Sequence, residues 1–189
     1  MVFADKMHDV IRVLENDGVI VYPTDTIWSI GCSVFCQSAL DRIHQLKGRS
    51  RDKPFVLLCS DLEMLKKYVN RIHPRVETLL SYHERPLTIV YPEARNLPQH
   101  AIAANGSVAI RITTEPFSRT IIELLGCPLV STSASLSDGV FPSSFEDIDA
   151  QILQEADYVC YHNRHLKTDK EPSIIARYDK KGELHFIRT

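Results

Sequence analysis

Three polar clusters in this chain carry residue types that could do chemistry. The first is Pro23-Thr24-Asp25-Thr26, in which two hydroxyls and a carboxylate follow the apolar residues 19–22. These groups could hydrogen-bond a small polar substrate, with Trp28 as an apolar wall beside it. The same residue types are also typical of a turn in which Thr and Asp side chains satisfy their own backbone. The tetrapeptide alone is compatible with both interpretations.

The second cluster is basic. It reads Lys47-Gly48-Arg49-Ser50-Arg51-Asp52-Lys53-Pro54, with four cations in seven residues at the end of a predicted helix. Cations are favoured at a helix C-terminus in any case, by about 0.3–1 kcal/mol each, so a solvated basic face is one interpretation. The other is a clamp on a polyphosphate, in which lysine acts as a point charge and arginine as a bidentate fork. Such a clamp would stabilise charge on a phosphoryl group and its leaving pyrophosphate.

The third cluster is rich in hydroxyls. It reads Ser131-Thr132-Ser133-Ala134-Ser135-Leu136-Ser137-Asp138-Gly139 and follows the apolar residues 129–130. Hydroxyls and backbone N–H groups here could form a concave anion site, and a flexible surface loop is the alternative. Arg111 is a separate candidate because it lies in the otherwise apolar strand 108–112. A buried arginine needs an anionic partner, which could be a structural carboxylate or a substrate carboxylate. The same two alternatives apply to Arg188, near the end of the predicted strand 184–187.

Several common motifs are missing from the sequence. It has neither a GxxxxGK[ST] loop nor a GxGxxG fingerprint, so the common nucleotide cradles are excluded. It has no GxSxG elbow, which weakens the hypothesis of a hydrolase that uses Ser131 and Ser133. Cys160, His162 and His165 lie close together but lack a fourth ligand at zinc spacing, so we expect no metal site on the protein.

Hydrophobic patterns predict the elements that must position these clusters. We expect helices at 5–17, 38–47, 62–69, 74–80, 116–125 and 143–155, and strands at 19–22, 55–59, 87–91, 108–112, 129–130, 158–161, 174–178 and 184–187. Strands that alternate with helices predict a sheet covered by helices, and the adjacent late strands make it mixed rather than purely parallel. We therefore predict one α/β domain over residues 1–189.

Composition narrows the class of protein. Apolar residues make up 44% of the chain and charged residues 24%, which is typical of a folded protein. The formal net charge of −2 disfavours a broad nucleic-acid-binding surface. No apolar run approaches the roughly 20 residues that span a bilayer. Five scattered cysteines are best interpreted as reduced thiols, so we expect a cytoplasmic protein without a membrane anchor.

In sequence order, the clusters resemble the YrdC-like family, whose members include threonylcarbamoyl-AMP synthases. The matching segments cover nearly the whole chain: Tyr22-Pro23-Thr24-Asp25-Thr26, Lys47-x-Arg49 with Lys53-Pro54-Phe55, Pro86-Leu87-Thr88-Ile89-Val90, Val108-Ala109-Ile110-Arg111, Ser131-Thr132-Ser133-Ala134, and Ser173-Ile174-Ile175 with Arg188. The chain departs from the family pattern at Trp28, Ser135 and Pro172. The resemblance implies a twisted mixed parallel and antiparallel sheet, flanked by helices, around a concave basic cavity.

The resemblance also implies an activity. Such enzymes condense L-threonine, bicarbonate and ATP, carried with Mg²⁺, into threonylcarbamoyl-AMP and pyrophosphate. Partner proteins then transfer the threonylcarbamoyl group to tRNA. By resemblance, threonine is held by Thr24, Arg111 and Ser131, while ATP is held by Lys47, Arg49, Ser133, Ser135 and Arg188, with Lys47 and Arg49 also catalytic. An inactive paralogue that binds double-stranded RNA or tRNA is the alternative function.

Overall fold

The computed structural model describes residues 3–50, 55–136, 141–168, 171–179 and 181–189. Its helices are α1 (Met7–Glu15), α2 (Gln37–Leu46), α3 (Leu62–Tyr68), α4 (Pro74–Tyr82), α5 (Pro116–Leu125) and α6 (Ala150–Glu155). Its strands are β1 (Ile20–Tyr22), β2 (Ser29–Gly31), β3 (Val56–Cys59), β4 (Leu87–Tyr91), β5 (Val108–Ile112), β6 (Leu129–Ser133), β7 (Tyr158–Val159), β8 (Ile174–Tyr178) and β9 (Leu184–Arg188). The predicted α/β class is confirmed. Residues 51–54 of the basic cluster and 137–139 of the hydroxyl cluster lie outside the described residues, as does Lys180, which follows the predicted strand 174–178 in sequence.

The described strands form one mixed sheet in the order β7-β1-β2-β6-β3-β5-β4-β8-β9. Three neighbouring pairs are parallel, β1 with β7, β3 with β5 and β4 with β8. The pairs β1–β2, β2–β6, β3–β6, β4–β5 and β8–β9 are antiparallel. The mixed sheet predicted from the sequence is confirmed, and it contains the strands that carry the hydroxyl cluster, Arg111 and Arg188.

Local signals account for several helix boundaries. The Asp61 carboxylate accepts a hydrogen bond of 2.7 Å from the Met64 N–H and so caps α3. Pro74 occupies the first turn of α4, where its missing N–H removes no helical hydrogen bond. Gly126 ends α5 in the left-handed region, at a φ of 72°. These local signals explain why α3, α4 and α5 begin or end close to the predicted bounds.

Strand β2 was not predicted. Its three residues are too few to show a period, and it forms because it pairs with β1 on one side and β6 on the other. Gly31 allows this close approach, since a Cβ atom there would collide with the Val130 carbonyl oxygen. The alternative of a flexible loop after residue 130 is wrong for residues 131–133, which continue strand β6 between β2 and β3.

The predicted helix over 143–155 is wrong. The structure has a 3₁₀ turn at Phe145–Asp147 followed by the short helix α6. Ser144 caps this turn, and its N–H donates a hydrogen bond of 2.8 Å to the Asp147 carboxylate. Ile148 then adopts an extended backbone, and the Asp149 side chain accepts a hydrogen bond from the Leu136 N–H at 2.6 Å. This hydrogen bond connects the break between the 3₁₀ turn and α6 to Leu136 of the hydroxyl cluster.

Helix α1 starts later and strand β7 ends earlier than predicted, for a shared reason. The buried Asp5 carboxylate accepts hydrogen bonds from the N–H groups of Tyr161 and His162, at 2.8 and 2.7 Å. Asp5 therefore binds the chain beyond β7 instead of starting α1. All five cysteines are buried with free thiols. Among the described helices, none combines the length and hydrophobicity that crossing a bilayer requires.

Candidate active site

One cavity brings most of the predicted site residues together. Its volume is about 320 Å³, within the usual range for small-molecule sites. Side chains from β2, β3, β5, β6, β8 and β9 line it, together with loop residues. Its lining includes five predicted site residues: Arg49, Arg111, Ser131, Ser133 and Arg188. Among the described residues that line it, three are arginines and none is acidic. Whether residues 51–54 add to this basic lining stays a prediction, because they lie outside the described residues.

Arg111 on β5 has a structural carboxylate as its partner. The Nη2 atom of Arg111 lies 3.2 Å from Oδ1 of Asp25, and the two side chains are only 5% and 1% exposed. Its Nη1 donates to the Thr26 hydroxyl at 3.2 Å. The Nε of Arg111 is buried and finds no hydrogen-bond partner among the described residues. Asp25 thus holds the guanidinium at the cavity wall, a pairing across 86 positions that the sequence did not indicate.

Arg188 lies on the edge strand β9 and lines the same cavity. Its Nε and Nη2 donate to the Ser173 carbonyl at 3.0 and 2.8 Å, and the Ser173 hydroxyl lies 2.7 Å from that of Thr88. Burial first, and then the positive charge of Arg111, lower the pKa of the Arg188 guanidinium. Two arginines near one structural carboxylate leave excess positive charge, so this end of the cavity favours an anion.

The Lys47 ammonium binds the end of β6. Its Nζ donates to the Ser133 carbonyl at 2.8 Å and also to the Ser135 carbonyl, with the Ser133 hydroxyl at 3.4 Å. Ser135 is buried, and its hydroxyl lies 3.3 Å from that of Ser133. Neither Lys47 nor Ser135 is among the described residues that line the cavity. Lys47 therefore brings its charge close to Ser133 while it links the end of α2 to the hydroxyl cluster.

Thr24 lies in a turn rather than on the cavity wall. Its hydroxyl accepts from the Thr26 N–H at 3.1 Å and donates to the Ile27 carbonyl at 2.8 Å. These are the local hydrogen bonds that the turn interpretation anticipates. Thr24 and Trp28 line a neighbouring pocket of about 470 Å³, which shares Thr26 and Ile27 with the cavity. The assignment of Thr24 to threonine stays a prediction.

Sequence reasoning assigned no role to four hydroxyl residues of the cavity, namely Thr26, Ser29, Thr132 and Ser173. Ser29 lies opposite Ser133 in the β2–β6 pair, and its hydroxyl accepts from that of Ser131 at 3.2 Å. The signal for Ser29 would have been strand β2 itself, which places the Ser29 hydroxyl beside those of β6. Thr26 belongs to the first cluster, but only the turn geometry shows that it points at Arg111 while Thr24 does not.

Two departures from the family pattern also have a place in the structure. Trp28 is buried and packs edge-on against Phe145, with ring centroids 5.3 Å apart, and is not among the described lining residues of the cavity. Pro172 does line the cavity, beside Ser173. The described residues contain no group of three or more His, Cys, Asp or Glu side chains that could hold a metal ion.

Comparisons with known proteins agree with this fold. Residues 12–189 match the Sua5_yciO_yrdC family model, whose description reads "Telomere recombination". The threonylcarbamoyl-AMP synthase of Escherichia coli O1:K1 is 34% identical over 136 residues, covering 70% of this chain and 72% of the relative. That of Psychromonas ingrahamii is 31% identical over 135 residues, covering 70% and 71%.

Two solved structures share the architecture. Escherichia coli YciO superposes with a TM-score of 0.81 at 23% identity, covering 96% of this chain and 87% of YciO. Sua5 of P. abyssi, solved in complex with L-threonine, gives a TM-score of 0.79 at 21% identity, covering 90% of this chain and 50% of Sua5. Because the family model extends over most of the chain, the protein belongs to the Sua5/YciO/YrdC family.

Proposed function

We propose that this protein is a threonylcarbamoyl-AMP synthase, the name its curated relatives carry. The observation that carries the proposal is the cavity in which Arg49, Arg111 and Arg188 meet the hydroxyls of β6. Every substrate of the reaction is anionic or carries an anionic group: the carboxylate of threonine, bicarbonate and the triphosphate of ATP. A cavity with convergent guanidinium groups and hydroxyls suits all three.

In this proposal the amino acid lies at the Arg111 end. Arg111 binds the threonine carboxylate, since Asp25 compensates only one of the two arginine charges at this end. The Ser131 hydroxyl, which lies on the same strand face as Ser133, hydrogen-bonds the amino acid beside it. Thr24 contributes through its hydroxyl contact of 2.9 Å with Thr26, which itself lines the cavity.

The nucleotide extends from the end of α2 toward Arg188. Arg49 and Arg188 pair with phosphate oxygens, and the Ser133 hydroxyl donates to a phosphate. Lys47 adds its charge behind Ser133, and Ser135 keeps that segment in place through its carbonyl. Mg²⁺ would be carried by the triphosphate oxygens, where it neutralises part of their charge. The absence of acidic side chains from the described lining fits a metal that arrives with the nucleotide.

The reaction needs no covalent nucleophile on the protein. The threonine amine attacks carbon dioxide and releases a proton, or attacks bicarbonate with loss of water, and in both cases gives a carbamate. The carbamate oxygen then attacks the α-phosphate, and the bond from the α-phosphate to the departing pyrophosphate breaks. The protein acts by holding the two reactants together and by neutralising charge that develops on the phosphoryl group. This makes the enzyme a nucleotidyltransferase. We also propose that the adenylate passes to partner proteins that modify tRNA, in the cytoplasm, where tRNA and ATP occur together.

The proposal is tested by measuring pyrophosphate release from ATP with each substrate omitted in turn. We expect release only when threonine, bicarbonate and ATP are all present, and equally fast release without threonine would contradict the proposal. Arg49→Ala should lower turnover at least about tenfold, because a lost charge clamp costs more than ~1.4 kcal/mol of transition-state stabilisation. Arg119→Ala, which removes an exposed arginine paired with Glu123, is the matched control and should leave turnover unchanged.

A further inference from the structure

The end of helix α2 fixes the backbone of Arg49. The Gly48 N–H donates to the Gln45 carbonyl at 3.1 Å, and the Arg49 N–H donates to the His44 carbonyl at 3.0 Å. Gly48 lies in the left-handed region at a φ of 55°. This is the Schellman arrangement, in which a glycine reverses the chain and the next residue bonds back across the last turn. Arg49 therefore leaves the helix in a direction that the turn itself defines.

His44 adds a second hydrogen bond to Arg49. Its imidazole is 7% exposed, and its Nδ1 lies 3.1 Å from the Arg49 carbonyl oxygen. A carbonyl only accepts hydrogen bonds, so Nδ1 carries the proton and donates it. Two hydrogen bonds of opposite direction thus join residues 44 and 49, one from each residue.

Phe55 connects the same histidine to the arginine side chain. The His44 and Phe55 rings are 4.4 Å apart between centroids, with 30° between their planes. The guanidinium carbon of Arg49 lies 5.1 Å from the Phe55 ring centroid, within cation–π range. Phe55 is buried and lines the cavity together with Arg49. The imidazole therefore supports both the carbonyl of Arg49 and the ring on which its guanidinium rests.

We propose that His44 is a positioning residue for Arg49. The inference rests on the proposed function, in which Arg49 binds a phosphate of ATP. His44 is not among the described residues that line the cavity, so it acts on the reaction through Arg49. His44 holds the Arg49 carbonyl directly and the Arg49 guanidinium through the Phe55 ring. It thereby reduces the conformational freedom that the Arg49 side chain would otherwise lose when it binds a phosphate.

The test compares two substitutions of His44 with a matched control. His44→Phe keeps a ring against Phe55 but removes the donor, whereas His44→Asn keeps an N–H near the position of Nδ1. His100 serves as the control because its Nε2 also bonds a backbone carbonyl, that of Val34 at 3.0 Å, away from the cavity. We expect His44→Phe to lower kcat/KM for ATP about tenfold, since small misplacements of binding groups have effects of this order or larger. His44→Asn should recover at least half of the loss, and His100→Phe should leave kcat/KM unchanged.

A double-mutant cycle distinguishes positioning from general destabilisation. In an Arg49→Ala background, His44→Phe should have no further effect on kcat/KM, because the group that it positions is gone. An equal loss in both backgrounds, or wild-type kinetics for His44→Phe, would overturn the inference. Both outcomes leave the proposed function standing if the wild-type protein is active.

A second measurement is independent of catalysis. NMR relaxation of the Arg49 Nε–H reports whether the side chain is ordered on the ps–ns timescale. We expect an ordered group in the wild-type protein and a mobile one in His44→Phe. An equally mobile Arg49 in both proteins would refute the positioning role even if the chain proved to have another activity.

Discussion

Replacing Asp25 by asparagine should destabilise the protein strongly, although the two side chains have nearly the same shape. Asp25 and Arg111 are 1% and 5% exposed, so neither is solvated by bulk water. The substitution removes the negative charge and leaves the Arg111 cation buried, close to Arg188. Removing one partner of a buried ion pair costs about 3–5 kcal/mol, because the remaining charge stays desolvated.

For a chain of this size, each 1 kcal/mol lowers Tm by about 2–4 °C, so Asp25→Asn should lower it by roughly 6–20 °C. Glu123→Gln is the matched control. The Glu123 carboxylate lies only 2.8 Å from Arg119, closer than Asp25 to Arg111, but both side chains are about half exposed. An exposed pair on one helix contributes about 0.3–0.5 kcal/mol, so the control should hardly change stability.

Urea unfolding followed by the fluorescence of Trp28, the single tryptophan, measures these free energies. The double variant Asp25→Asn/Arg111→Met should be more stable than Asp25→Asn alone, because it also removes the unpaired cation. Two results would refute the reasoning. One is an Asp25→Asn variant no less stable than Glu123→Gln, and the other is a double variant whose loss equals the sum of the single losses.

Three further predictions concern the elements around the cavity. Lys47→Ala should lower turnover at least about tenfold, since it removes a charge beside Ser133, whereas exposed Lys67→Ala should not; normal kinetics would mean that Lys47 is only structural. Gly31→Ala should destabilise the fold by more than about 1 kcal/mol in urea unfolding, because its methyl group would collide with the Val130 carbonyl, and an unchanged midpoint would contradict the β2–β6 pairing. Asp61→Ala should lose about 1 kcal/mol at neutral pH. The hydrogen bond from the Met64 N–H lowers the pKa of the Asp61 carboxyl. The cap therefore stabilises the protein above the unfolded pKa of about 3.9, and this stabilisation is lost as the pH falls through the lower folded pKa. If Asp61→Ala lowered the stability equally at pH 6 and at pH 2, the result would argue against the cap.

Sequence patterns predict the elements that local signals define. Strands β4 and β5 have the predicted bounds because each is a mostly apolar run, which prolines flank in β4 and hydroxyl residues flank in β5. The prediction of a helix over 143–155 is wrong because the Asp149 carboxylate accepts a hydrogen bond from Leu136 in the hydroxyl cluster. Hydrophobic periodicity cannot predict such a contact between segments that are distant in sequence. Strand β2 was missed for the same reason, because it is a strand only through its pairing with β1 and β6.

The candidate site shows the same division between residue type and position. The clusters and the resemblance predict which residues matter, and five of them reach one cavity. They do not predict that Asp25 pairs with Arg111 or that Thr26 rather than Thr24 lines the wall, because these follow from turn geometry and sheet register. The contribution of residues 51–54 of the basic cluster to the site stays a prediction.

The central claim is that threonine and ATP meet in the cavity between Arg49 and Arg111. A crystal structure of the protein soaked with ATP and threonine tests it most directly. We predict the threonine carboxylate within hydrogen-bonding distance of Arg111 and the phosphates of ATP on Arg49 and Ser133. Threonine bound in the neighbouring pocket beside Trp28, or a cavity that stays without ligand at saturating concentrations, would contradict the account.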